Sequence, residues 1–133
     1  MRQQKSGHII QVSSIGGRIG TPGAAAYQSA QWAVGGFSTV LSKELASFGI
    51  KVTVAEPTGI NNNMGVTATD NSKEYSGWTE VSEIARAIIH LSNAEDPPLR
   101  IVLGKDALQK AEMVAKTLAE SDEKWTKVSK LEF

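Results

Sequence analysis

The sequence contains no cysteine. Disulfides, thiolate nucleophiles and thiolate metal sites are thereby excluded, and the composition suits a reducing compartment. Net charge is lacking too. The 14 basic side chains balance 14 acidic ones, so no overall field recruits nucleic acid or an anionic membrane. No apolar run approaches the roughly 18 residues of a membrane span. Near the N-terminus Ile9, Ile10 and Val12 surround Gln11, a run too short and too interrupted for a signal peptide. A soluble cytoplasmic protein is the expectation. Aromatics are few, and Trp32, Trp78 and Trp125 are scattered, which offers no stacking platform for single-stranded nucleic acid. The two histidines, His8 and His90, have no metal-ligand spacing with each other or with carboxylates.

Phosphate-binding glycine patterns also fail. Gly16, Gly17, Gly20 and Gly23 cluster, but a G-x-G-x-x-G fit puts Ile15 at its first glycine, and no G-K-[ST] follows. The cluster reads as a strand-to-helix loop.

What is present fits one globular domain with a single core. The chain has 133 residues, 41% of them hydrophobic and 21% charged. β-branched residues over 8–13 predict a strand. From about 25 to 48 the spacing of Trp32, Val34, Phe37, Val40, Leu41, Leu45 and Phe48 is helical, and Gly49 reads as its stop. A second strand is expected over 51–57, an amphipathic helix over 82–94, a third strand over 99–104 and a surface helix from Asp106 onward. The polar stretch between, about 60–80, has no period and reads as a long loop. Strand and helix alternate three times, which predicts an α/β fold with a parallel sheet. No repeat or low-complexity segment interrupts it.

Ser14 closes the first predicted strand and Tyr27 follows 13 residues later, early on the next helix. Carboxyl ends of parallel strands are where α/β proteins bind ligands. There a serine can hold a substrate oxygen and a tyrosine can act as general acid or base. The residues alone leave a second reading open, in which Ser14 satisfies a turn and Tyr27 is ordinary half-buried core.

The stretch GHIIQVSSIGGRIGTPGAAAYQSAQWAVGGFSTVLSKELASFGIKVTVAEPTG resembles the second half of a short-chain dehydrogenase/reductase. It matches that family's S-S, the spacing to Y-x-x-x-K, a glutamate near the helix end (Glu44), G-I-x-V (Gly49, Ile50, Val52) and the proline of P-G (Pro57). The later segments are similar as well, so the resemblance spans essentially the whole chain as one domain, 1–133. It implies a Rossmann-like three-layer fold of which only the C-terminal half is present, with about three parallel strands and flanking helices. It also implies hydride exchange between NAD or NADP and an alcohol or carbonyl. Ser14 would hold the substrate oxygen, and Tyr27 would exchange the proton. The lysine position would bind the nicotinamide ribose and favour the phenolate. Pro57, Thr58, Gly59 and Ile60 would line the nicotinamide, and the residue at 62 would contact the cofactor. The 60–80 segment would correspond to the family's substrate loop.

Four departures stand against the pattern. The lysine position is Gln31, the glycine of P-G is Thr58, and the downstream threonine is Asn62. The glycine-rich half that holds the pyrophosphate lies outside these 133 residues. A cation about 5 Å from a phenolate, at an effective dielectric of ~20, is worth roughly 3 kcal/mol, about a hundredfold in phenolate fraction. Gln31 cannot supply it. The expectation is therefore a chain that alone binds no nicotinamide cofactor and is inactive or strongly impaired. The alternatives are a non-catalytic association module and half of an enzyme completed by another chain. The first strand would be an exposed edge, so a homodimer or a complementing chain is expected.

Overall fold

The structure is a computed structural model and describes residues 1–61 and 78–132. Strand β1 (Gly7–Val12), helix α1 (Ala25–Leu45), strand β2 (Ile50–Pro57), two short strands β3 (Ile60–Asn61) and β4 (Thr79–Glu80), helix α2 (Val81–Ser92), strand β5 (Arg100–Leu103), helix α3 (Ala107–Lys124) and a short helix α4 (Thr126–Ser129) follow in order. β1, β2 and β5 form a parallel sheet with β2 in the centre. The α/β class, the three strands and the flanking helices are those the alternation predicts.

β2 holds the sheet together because it is buried on both faces along nearly its whole length, as a central parallel strand is. Side chains alternate along it. Ile50 and Val52 face α1 and pack with Leu45, Leu41, Phe48 and Ile9. Thr53 and Ala55 face the other way and are fully buried as well. The Thr53 hydroxyl donates to the Pro98 carbonyl (2.8 Å) and meets His8 Nε2 at 2.9 Å. Because its one proton goes to Pro98, His8 Nε2 must be the donor in that contact.

α1 ends as expected. After Leu45 the chain tightens into a 3₁₀ turn over Ala46–Phe48, and Gly49 adopts a left-handed conformation at φ 65°. A side chain there would be strained, and its first carbon would lie 2.6 Å from the Lys5 carbonyl oxygen. At its start, Gln28 ties the helix to the preceding loop. It accepts from Thr21 N (2.8 Å) and donates to Thr21 Oγ1 (3.1 Å). α2 begins on a reciprocal cap between Glu80 and Glu83.

Three expectations change. The apolar residues of α1 do not all face the core: Leu45 is buried, but Phe37 is 60% exposed, and Trp32 and Val40 are exposed too. The face turned to the sheet instead carries Gly35 and Ser38, small residues that let the helix lie close. The 60–80 segment is not loop throughout, because its ends pair in parallel, Ile60 with Thr79 and Asn61 with Glu80. The final surface helix breaks at Trp125 into α3 and α4.

Candidate active site

Ser14, Tyr27, Gln31 and the Pro57–Ile60 stretch come from separate elements. Ser14 and Pro57 leave β1 and β2 at the same, carboxyl-terminal end of the sheet, because the strands are parallel and in register from Gly7↔Ile50 to Val12↔Ala55. The register continues one step, with Ser13 N donating to the Ala55 carbonyl at 2.8 Å.

The chain then turns sharply through a 3₁₀ turn, Ile15–Gly17. Ser14 caps it: its Oγ accepts from Gly16 N at 3.0 Å. Accepting there leaves the hydroxyl proton free to donate elsewhere. The turn brings α1 back over the sheet, where it packs on β2. A side-chain carbon at Gly16 would lie 3.4 Å from both Ser14 Oγ and Tyr27 Cε1. Serine and tyrosine therefore lie beside the same glycine, each at ordinary contact distance from where its side chain would begin. Tyr27 is 44% exposed, so it is not ordinary core. No other described residue hydrogen-bonds its hydroxyl.

Gln31 lies one turn after Tyr27 and is held from an unexpected side. Ser13 Oγ donates to Gln31 Oε1 at 2.8 Å. No described residue accepts a hydrogen bond from the Gln31 Nε2 donors. Gly17 makes this approach possible, since a side chain on it would meet the Gln31 carbonyl oxygen at 2.9 Å. Ser13 is thus a site residue that spacing alone passes over. Its neighbour Ser14 matches the motif, and only the fold shows that the two hydroxyls have different partners.

Pro57 and Thr58 are buried, and Thr58 N donates to the Leu103 carbonyl at 2.8 Å. Gly59 is exposed and lies against the Trp78 indole, and Ile60 enters β3. Asn62 lies outside the described residues.

The largest surprise is Glu56. It sits at the end of β2, is fully buried, and accepts from Arg18 on one oxygen and from Arg100 on the other. Arg100 Nε lies 2.9 Å from Oε1, and Arg100 Nη2 also donates to the Gly17 carbonyl at 3.0 Å. The cluster fastens the 15–18 turn to β2 and β5. Glu56 was legible as a charged residue on the core-facing alternation of an apolar strand, a position that demands a partner. Among the described residues, no group of acidic or histidine side chains could hold a metal ion, and no helix is long and apolar enough to cross a membrane.

Comparison with known proteins gives consistent results. A family model described as short chain dehydrogenase matches residues 1–73. An oxidoreductase of Botryotinia fuckeliana, BOA17, is 49% identical over 148 residues, covering 97% of this chain and 54% of its own length. The crystal structure of a short-chain dehydrogenase from Streptomyces avermitilis superposes with a TM-score of 0.84 at 28% identity, covering 98% of this chain and 54% of that one. A gluconate 5-dehydrogenase from Burkholderia cenocepacia, solved with NADP and tartrate, shares the fold at a TM-score of 0.69 and 18% identity, covering 80% of this chain and 47% of that one. The chain spans about half the length of the curated relatives it matches.

Proposed function

The chain belongs to the short-chain dehydrogenase family, and on that premise we propose that it carries the proton-transfer part of a site for NAD(P)-dependent alcohol or carbonyl chemistry, in an impaired form. The observation that carries this reading is the placement of Ser14 and the exposed Tyr27 beside the same glycine, Gly16. Ser14 Oγ, already accepting from Gly16 N, offers its proton to a substrate oxygen. The Tyr27 hydroxyl gives a proton to that oxygen, or takes one from it.

Gln31 fits the ribose end of a nicotinamide nucleotide. Ser13 holds its amide oxygen, and among the described residues nothing accepts from its amide N–H groups. Thr58, exposed Gly59 and Ile60 are the residues for the nicotinamide side, with Pro57 behind them and Asn62 as a further contact. The bound cofactor would supply or accept the hydride. What Gln31 does not supply is charge, so nothing at that position favours the phenolate. These residues alone give a weak or inactive site, and activity belongs to an assembly that also binds the pyrophosphate.

The test is to titrate the chain with NADH and NADPH by fluorescence, alone and fused to the glycine-rich half of a relative, and to assay the fusion on a carbonyl panel. Turnover that Tyr27→Phe abolishes supports the reading. Turnover unchanged by Tyr27→Phe overturns it.

A second reading, association without catalysis, is favoured by one observation. Tyr27, Trp32, Phe37 and Val40 leave α1 with several exposed apolar side chains, which suits helix-to-helix pairing of two copies. Light scattering distinguishes a dimer from a monomer, and absence of nicotinamide binding in every pairing favours this second reading.

A further inference from the structure

The charges around Glu56 do not balance. One buried carboxylate faces two guanidinium groups, and neither arginine meets another acid among the described residues. Their side chains remain 30% and 28% exposed. The exposure opens into a hollow of about 160 Å³ between the 15–18 turn, α1 and α3. Trp32 forms one wall, and Ala111, Val114, Ala115 and Leu118 of α3 form the other; no acidic residue lines it.

The guanidinium groups are fixed in place. Arg18 is held through Nε by Glu56. Arg100 is held by Glu56 and the Gly17 carbonyl and is seated against α1 at Gly35, where a side-chain carbon would come within 2.9 Å of Nη2. No described residue hydrogen-bonds the Arg18 Nη groups or Arg100 Nη1. A surplus positive charge between apolar walls attracts an anion more strongly than one in open water. Because the donors are already ordered, little rotamer freedom is lost on binding. The planar fork of arginine matches a carboxylate, and the aliphatic wall of α3 matches a hydrocarbon tail. The volume is below that of pockets for drug-sized ligands, about 300 Å³ and upward, which limits the ligand to a small acid.

We propose that this hollow binds a short-chain aliphatic carboxylate, with its head on Arg18 and Arg100 and its tail against Val114, Ala115 and Leu118. The site shares no residue with the Ser14–Tyr27 pair and does not depend on the reaction assigned there.

The test follows the indole N–H signal of Trp32 by NMR on the full chain, assigned with Trp32→Phe, during titration with hexanoate, hexanol or inorganic phosphate. Hexanoate is expected to give a saturable shift, and hexanol and phosphate to bind at least about tenfold more weakly, the weight of one charge-assisted hydrogen bond. Arg18→Gln should weaken hexanoate by a similar factor. Ala115→Leu fills the hollow without touching the ion cluster and should abolish the shift while the chain melts as before. No saturable shift with hexanoate overturns the proposal. So does phosphate or hexanol binding as tightly, or a normally folded Ala115→Leu that binds hexanoate like the parent.

Discussion

Ser13 donates a hydrogen bond to the side-chain oxygen of Gln31 at 2.8 Å, across eighteen positions of sequence. The bond ties the end of β1 to the first half of α1 and aims the Gln31 amide. It also means that the residue after the motif tyrosine on its helix face is positioned by the first serine of the S-S pair, to which the motif gives no role.

Gln31→Lys restores a cation one turn from Tyr27. At about 5 Å and an effective dielectric of ~20 the charge is worth roughly 3 kcal/mol to a phenolate. With Tyr75, the second of the two tyrosines in the sequence, replaced by phenylalanine in both, the phenolate absorbance of Gln31→Lys should therefore appear at lower pH than that of the parent. Superimposable titrations would show that position 31 is out of electrostatic reach of the phenol.

Glu56→Gln removes the counter-charge that two partly buried arginines share among the described residues. Breaking such a cluster from one side costs about 3–5 kcal/mol. Urea denaturation should show a correspondingly lower midpoint with an unchanged slope. A midpoint equal to the parent's would mean that water already satisfies both guanidinium groups.

Neighbouring glycines of α1 should respond in opposite directions. Gly36 has open space where a side-chain carbon would go, so Gly36→Ala gains helix propensity and stabilises by about 1 kcal/mol. Gly35 faces the pinned Arg100 guanidinium at 2.9 Å. There the same propensity gain is outweighed by overpacking of about 1–3 kcal/mol, and Gly35→Ala should destabilise or be neutral at best. Thermal melts of the two variants read the difference in sign directly.

His8 makes stability depend on pH. Burial, aided by the Lys51 charge, holds its imidazole below the ordinary 6.5. The unfolded chain therefore takes up the proton first. The stability this provides is present above about pH 6.5 and is lost as pH falls from there through the lower folded value. Nδ1 is buried without a hydrogen-bond partner among the described residues, so protonation also creates a donor with nowhere to point. Denaturation midpoints should fall between pH 7.5 and 5.5 in the parent, and less in His8→Gln. Equal pH dependence in both would assign the effect elsewhere.

The order of the main strands and helices is legible in the sequence because each rests on local pattern. The β-branched runs mark β1 and β2, Gly49 stops α1, and Ile84 to Leu91 repeat at helical spacing. Ser14 and Tyr27 are legible by spacing. The contacts of Gln31 with Ser13 and of Glu56 with Arg18 and Arg100 are not, because they join residues 18, 38 and 44 positions apart. Pattern reports that a buried acid needs a partner, but not which of the chain's arginines reaches it. The exposed Phe37 and Val40 miss for a related reason. Hydrophobic spacing gives a helix, but Gly35 and Ser38 decide which side of it lies against the sheet.

The two-residue pairing of β3 with β4 bears on how this scaffold can change. Ile60–Asn61 and Thr79–Glu80 lie side by side, so the two anchor points of the intervening stretch are held close together. Because chain closure grows only with the logarithm of length, residues can be added or removed there at small thermodynamic cost while β2 and α2 keep their places. The clasp fixes where that stretch is joined to β2 and α2. It marks the position at which segments from relatives can be exchanged by design.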